Sequence, residues 1–585
     1  MRSFLKIFFA SFLALIIFSV LGLVVTIFII GGLFAPSRPD VGTKAVLVLD
    51  LGMQFKEQEQ QNSIGALLGD ESKNIPGLYD VVRMIHYAKK DSSIKGILIK
   101  AGDNNNGFAS SEELRNAVLD FKQSKKFVVA YGEAIPERAY YVASAADKIY
   151  CHPNGGVDWD GFAVNLLFLK GLLDKLGIEA QVFYDGKFKS ATEPFRTDKM
   201  TDANRLQTSV WLGDLYSNLL MSVADSRKTD TAFLHRLATD GAVQTAHDAL
   251  KYNLVDGLKY DDEIKAEILE LLGKKETGDI NYLALGKYAK AVDFTREGKD
   301  KIAIIYAQGD IVDGKDQDNQ IVGDEFVKIL RKARLDDDVK AIVFRVNSPG
   351  GSSLASDMIW REISLAKEEK PVVVSMGDYA ASGGYYISCD ADSIFAEPGT
   401  ITGSIGVFTL LPNMKPFFNN KLGITFDGVK TAPYADMGTV SRPLTETEKR
   451  FYQGAVDSIY ATFKSRVANG RKKNIDFIDS IAQGRVWTGQ RAVEIGLVDK
   501  IGTLHDAVEC AARMAKTSDY RVREYPEKKS LLEQLLNSPV SASAKEDAIK
   551  KDVGEEQYKL MIQAKKLQQI IGIPQAKLPF DFEIR

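Results

Sequence analysis

The chain contains one segment twice, and only the later copy carries a serine at its centre. At a constant, gap-free spacing Lys340 stands opposite Lys95, Gly377 opposite Gly132, Tyr385-Tyr386 opposite Tyr140-Tyr141, Asp392 opposite Asp147, Pro398 opposite Pro153 and Gly406 opposite Gly161. Ser382, within Gly377-Asp378-Tyr379-Ala380-Ala381-Ser382-Gly383-Gly384-Tyr385-Tyr386, falls opposite Glu137. Agreement of this kind implies two copies of one domain, and a difference at one reactive position implies that only one copy keeps a nucleophile.

A chain of 585 residues exceeds what one hydrophobic core supports. Both copies alternate strand and helix. Ala45 to Leu49, Gly96 to Lys100 and Phe127 to Tyr131 read as buried strands and Ser111 to Ser124 as a helix; Ile302 to Tyr306, Ala341 to Val346 and Val372 to Met376, with a helix from Ser356 to Lys367, repeat the rhythm. The expected fold class is therefore α/β, with parallel βαβ units in tandem. Leu176-Gly177-Ile178 recurs as Leu422-Gly423-Ile424, so the duplication runs past the strands. The polar run Thr295 to Lys299 divides the halves, giving domains over 40–292 and 300–524. After Tyr525 the composition turns to Lys, Glu, Ser and Ala, with an amphipathic helix expected from Glu555 to Ile571. This tail, 525–585, reads as a packing or assembly element of uncertain role.

The N-terminus differs from the rest. Ile7 to Ala35 carries no charge and is long enough to cross ~30 Å of hydrocarbon. Arg2 and Lys6 precede it, so residues 1–36 read as a short cytoplasmic stub and a single-pass anchor, with everything after the tether Pro36-Ser37-Arg38-Pro39 on the far side of the membrane. A cleaved signal peptide is the alternative; it needs a small-x-small cleavage site, which Leu33-Phe34-Ala35 fits poorly. With a charged fraction of 26% and a net charge of −3, no bulk charge calls for nucleic acid. The three cysteines, Cys151, Cys389 and Cys510, are too scattered for a disulfide framework or a zinc site. The loop Asp313-Gly314-Lys315-Asp316-Gln317-Asp318 lacks the glycine that a calcium-binding EF-hand loop needs at its sixth position. Neither metal nor cofactor is expected.

Ser382 follows an apolar strand, and Gly383-Gly384 opens a helix, where free N–H groups favour a nascent anion. The same residues also read as a tight helix start capped by a serine. Asn347-Ser348-Pro349-Gly350-Gly351 ends the preceding strand, and its paired glycines let backbone N–H groups approach a ligand as an oxyanion hole. In the first half Asn105-Asn106 replaces that pair, so both features are lost together. A serine hydroxyl needs a base, and none of the five histidines, His86, His152, His235, His247 and His505, sits in a triad context. A lysine serves if burial keeps it neutral. In the register that sets Leu176 opposite Leu422 and Arg196 opposite Arg442, Lys189 falls opposite Ala435. The first half thus keeps a lysine and lacks the serine, and the second keeps the serine and lacks the lysine. One dyad divided between two halves has this pattern.

These residues resemble the signal peptide peptidase A (protease IV) family in its long, duplicated form. The carriers are Tyr184-Asp185-Gly186-Lys187-Phe188-Lys189-Ser190-Ala191-Thr192-Glu193-Pro194-Phe195, Ser348-Pro349-Gly350-Gly351, Ala381-Ser382-Gly383-Gly384-Tyr385 and Thr402-Gly403-Ser404-Ile405-Gly406. The resemblance implies that Ser382 is the nucleophile, Lys189 the general base and Ser404 the residue that orients the amine, with Gly350, Gly351 and Gly383 around the oxyanion. It further implies a fold related to Clp protease and crotonase, a homotetramer on the periplasmic side of the inner membrane, and signal peptide remnants and unfolded apolar peptides as substrates. Phe188 departs from the family, where tyrosine is frequent. Two other readings remain: an inactive membrane-anchored scaffold of the same fold, which predicts erosion of the reactive set, and a crotonase-like acyl-CoA enzyme, which has no use for Lys189.

Overall fold

The computed structural model describes residues 38–59, 75–275, 278–314, 320–527 and 571–578, together with positions 8, 11–19, 21–22, 554, 558 and 561. The expected anchor and the expected helix at 555–571 fall largely outside the described residues. Among the described residues no helix is long and apolar enough to cross a membrane.

In the first half, β1 (Ala45–Asp50), β2 (Ile94–Lys100), β3 (Phe127–Ile135), β4 (Lys148–Val157), β6 (Gly257–Leu258) and β7 (Asn281–Ala284) form a parallel sheet in the order β6-β4-β3-β2-β1-β7. β5 (Glu179–Asp185) is left out of it. The second half begins with β8 (Asp300–Gln308), β9 (Asp310–Val312), β10 (Gln320–Val322), β11 (Val339–Ser348), β12 (Gly350–Ser352) and β13 (Val372–Ala381). It continues with β14 (Ser393–Ala396), β15 (Ile401–Gly403), β16 (Val407–Asn413), β17 (Val486–Thr488), β18 (Lys500–Ile501) and β19 (Tyr520–Tyr525). β18-β14-β13-β11-β8-β19 reproduces the strand order of the first sheet. The central strands are apolar runs buried on both faces, as parallel strands covered by helices must be. The strands expected from the sequence lie inside the observed ones, and those that lead into the site run longer: β3 to Ile135, β13 to Ala381.

A third sheet crosses the boundary between halves, in the order β10-β9-β12-β20-β16-β5, where β20 is Gln575–Lys577. β5, from the first half, pairs antiparallel with β16, from the second, over the whole register from Val407↔Asp185 to Asn413↔Glu179. The second-half counterpart of β5, residues 425–431, forms no strand. Phe183 of β5 is consequently buried in the core of the second half, its ring stacked on Tyr452 at 5.6 Å between centroids. The first half thus lends the second a strand that covers one side of β16, and β5 becomes the terminal strand of the sheet.

Buried polar groups lock the same boundary. Arg345, on β11 and 1% exposed, donates from Nε to Glu57 (2.8 Å) and from Nη2 to Glu113 (2.6 Å), both carboxylates of the first half. Its Nη1 donates to Ser375 Oγ (2.9 Å), and Asn347 Nδ2 donates to the other Glu57 oxygen (2.8 Å). Nearer the surface, partly exposed Arg491 makes a bidentate pair with Asp214 across the same boundary at 2.6 and 2.8 Å. Removing one member of a buried ion triad leaves an uncompensated charge, at a cost of ~3–5 kcal/mol. Arg345→Leu should therefore lower the midpoint of denaturant unfolding markedly. A wild-type midpoint would show that this triad does not hold the halves together.

Candidate active site

Ser382 sits where β13 ends and a short helix, Gly383–Tyr386, begins. The turn is sharp enough to force φ to 55° at a non-glycine residue, a strain of ~1–3 kcal/mol that packing must offset. The Ser382 N–H donates to the Gly403 carbonyl at 2.8 Å, which ties the turn to β15, and the side chain is fully buried.

Lys189 reaches this serine from the other half. β5 runs up beside β16 and ends at Asp185; the chain then turns so that the Phe188 N–H donates to the Gln483 carbonyl at 2.7 Å. Gln207, on helix Asp202–Arg227, donates to the Phe188 carbonyl (3.0 Å) and to Ser190 Oγ (3.1 Å) while accepting from the Val486 N–H (3.1 Å). One buried amide thereby clamps the lysine loop to β17. Gly406 leaves the space for the lysine stem, since a Cβ there would lie 3.1 Å from Lys189 Cδ.

The Lys189 amine is 2.8 Å from Ser382 Oγ, 3.1 Å from Ser404 Oγ and 3.2 Å from the Ser404 carbonyl oxygen. A neutral amine has two protons and one lone pair. Two acceptors on Ser404 and one hydroxyl on Ser382 match that count. Lys189 is 1% exposed, and burial alone, with no neighbouring cation contributing, holds its pKa well below the ordinary lysine value. Histidines lie elsewhere: His86 faces Asp120 and His505, His152 packs on Tyr260 and His235 on Tyr216.

The glycine pair lies beside the serine. The Gly350 N–H donates to Ser348 Oγ at 3.1 Å, Gly351 is paired in the sheet with Ile311 and Ala576, and Gly383 opens the helix after Ser382. No side chain fits on this loop: Gly350 adopts φ +97°, and a Cβ there would meet the Ala576 carbonyl oxygen at 2.1 Å; one on Gly351 would meet the Ile311 carbonyl oxygen at 1.9 Å. In the first half the corresponding place is closed. Glu137 starts helix Glu137–Ala143 and accepts from the Gly161 N–H at 3.0 Å, its pKa pushed up to about 7 by burial. Among the described residues no cluster of His, Cys, Asp and Glu is placed to hold a metal ion.

The structure thus brings together Ser382, Lys189, Ser404, Gly350, Gly351 and Gly383. Sequence reasoning missed three contributors: Gln207, which fixes the lysine loop; Arg345, two residues before Asn347 on the strand leading to the glycine pair; and β20, the C-terminal strand against that pair.

A serine in hydrogen-bond contact with a buried lysine, beside a glycine-rich turn, presents the groups that attack on a carbonyl through serine requires. The model of peptidase family S49 matches the chain twice, over residues 120–275 and 364–518, once in each half. Protease 4 of Salmonella typhi is 36% identical over 522 residues, covering 86% of this chain and 83% of that protein. Protease 4 of Haemophilus influenzae is 34% identical over 84% of this chain and 82% of its own length. The chloroplastic serine protease SPPA of Arabidopsis thaliana is 33% identical over 73% of this chain and 64% of that protein. The chain belongs to peptidase family S49 and is a serine peptidase.

Since only the neutral amine can accept a proton, peptidase activity should be full above the depressed pKa of Lys189 and lost as pH falls through it. A profile of kcat/KM on an unfolded polypeptide checks this. Ser404→Ala, which removes one acceptor from the amine, should lower kcat about tenfold, the worth of one hydrogen bond, with KM little changed.

Proposed function

We propose that this protein is a membrane-anchored endopeptidase that works through a Ser382–Lys189 dyad and degrades signal peptide remnants and other unfolded apolar chains. The observation that carries the proposal is the 2.8 Å contact between Lys189 Nζ and Ser382 Oγ at a site where burial holds the amine's pKa well below the ordinary lysine value. Ser382 Oγ attacks the scissile carbonyl and its proton passes to Lys189. The N–H groups of Gly351 and Gly383 receive the oxyanion, and the resulting ammonium returns the proton to the leaving amine. Water repeats the sequence on the acyl-enzyme. Ser404 positions the amine throughout.

The substrate class follows from access. β12 and β16 hold an extended segment, β20, between them by main-chain hydrogen bonds, and an extended substrate chain would be held in the same way. A folded protein cannot present an unpaired strand there. The uncharged segment Ile7 to Ala35 supports an anchor in the inner membrane with the peptidase on its periplasmic side, and the family resemblance supports a homotetramer. An inactive scaffold of the same fold is disfavoured because the serine, lysine, second serine and glycine pair are all retained in contact distance.

Residues acting as one unit lose activity together. Ser382→Ala, Lys189→Ala and the double variant should fall to a similar residual rate, about 10²–10⁴-fold below wild type. Lys189→Arg should be equally impaired, because a guanidinium stays protonated. A folded Lys189→Arg protein with near-normal turnover would remove the dyad. For topology, external protease should digest the bulk of the chain in spheroplasts and spare it in sealed inverted vesicles; the opposite pattern would reverse the orientation.

A further inference from the structure

The strand that delivers Ser382 falls out of step with its neighbour just before it arrives. β13 pairs with β11 without a break from Val372 opposite Ile342 to Met376 opposite Val346, and pairing resumes only at Ala380 opposite Ser348. Across that gap Gly377, Asp378 and Tyr379 of β13 face the single residue Asn347 of β11. A bulge of this kind re-aims the chain that follows it, and the main-chain groups it frees from the ladder need other partners. The Tyr379 N–H donates to Asn347 Oδ1 at 3.2 Å, and the Gly377 carbonyl accepts from Thr400 Oγ1 at 2.8 Å. A side chain on Gly377 would not fit, since its Cβ would lie 2.8 Å from Glu57 Oε1 and 2.9 Å from Asn347 Cγ.

Asn347 is itself held from the first half. Its Nδ2 donates to Glu57 Oε1 at 2.8 Å, while the other Glu57 oxygen accepts from Arg345 Nε (2.8 Å) and the Glu57 N–H donates to Gln308 Oε1 (3.2 Å). Beside it Asp378 accepts from the Ser110 N–H (3.0 Å) and Ser110 Oγ (2.7 Å) at the start of the first-half helix Phe108–Lys122. A primary amide suits this place because it offers an acceptor to an N–H and a donor to a carboxylate in one rigid plane. The Asn347 carbonyl accepts from the Gly309 N–H at 3.0 Å, and Ser348-Pro349-Gly350-Gly351 follows directly. One side chain therefore joins the strand that ends in Ser382 to the strand that ends in the glycine pair.

The half without a serine lacks this arrangement. In the register that sets Ser382 opposite Glu137, Gly102 stands opposite Asn347, Lys100 opposite Arg345 and Glu133 opposite Asp378. Lys100 and Glu133 are exposed, and the pairing of β2 with β3 stops at Lys100 opposite Tyr131.

We infer that Asn347 is a positioning residue for the peptidase reaction: oriented by Glu57 of the first half, its amide fixes the bulge in β13 and with it the aim of Ser382 relative to the glycine pair. The inference rests on the reading of Ser382 as nucleophile. The first half then contributes to the reaction twice, through Lys189 and through the carboxylate that holds Asn347.

An exchange of the amide and the carboxylate tests this in the full chain. Asn347→Asp keeps the acceptor for Tyr379 but sets a second carboxylate against Glu57. Adding Glu57→Gln moves the donor to the other side of the contact, leaves an oxygen for Arg345 and restores the original number of charges. In Asn347→Asp, kcat on an unfolded reporter polypeptide and the rate of fluorophosphonate labelling at Ser382 should both fall about 10²-fold, the cost of a small misplacement, with KM little changed. The double variant should regain most of both rates. Wild-type kcat in Asn347→Asp would overturn the inference, as would a double variant no faster than the single. A loss of rate that only tracks the loss of folded protein, read from the denaturant midpoint of each variant, would make the contact structural and overturn it too. A wild-type chain that neither cuts the reporter nor labels at Ser382 would instead remove the reading of Ser382 as nucleophile, and this inference with it.

Discussion

The pairing of β5 with β16 is the interaction on which the rest of the structure depends. It takes a strand out of one repeat and spends its hydrogen bonds in the other, and the loop that follows it carries Lys189 to Ser382. Neither repeat alone holds both reactive groups. The exchange also explains why the copies could diverge reciprocally. Once one lysine reaches across to one serine, a second serine at Glu137 and a second lysine at Ala435 have no partner to act with.

Dry surroundings at this junction do chemical work that no charged neighbour does. An amine transferred from water to a buried site loses its hydration, so the proton is disfavoured and the lone pair becomes available. The cost is offset by hydrogen bonds that suit a neutral amine, two donated to Ser404 and one shared with Ser382. Arg345 serves the opposite purpose nearby. There a cation is kept charged between Glu57 and Glu113, and it joins the halves close to the strand that ends in the glycine pair. One boundary holds both a buried lysine without a carboxylate and a buried arginine with two.

Much of this was legible in the sequence because duplication supplies an internal comparison. The strand cores at Ala45, Gly96, Phe127, Ile302, Ala341 and Val372 followed from apolar runs, and Ser382 and Lys189 from reciprocal loss. Other features had no sequence signal. Arg345 lies in an otherwise apolar strand, and its partners Glu57 and Glu113 are distant in sequence, so nothing local marks them as a triad. β5 shows an ordinary strand pattern, which says nothing about which sheet takes it. Gln575-Ala576-Lys577 is too short and too polar for any periodicity; it is a strand because β12 and β16 offer it two partners. The tail, read from composition as a packing or assembly element of uncertain role, has its described segment paired between β12 and β16.

The central claim is that a lysine of the first repeat activates a serine of the second. Labelling with a serine-reactive fluorophosphonate, mapped by mass spectrometry across a range of pH, tests it most directly. Modification should fall on Ser382 in the wild-type chain, rise as Lys189 deprotonates, and be lost in a folded Lys189→Ala protein. Labelling of Ser382 at the same rate with and without Lys189, or labelling at another serine, would contradict the account.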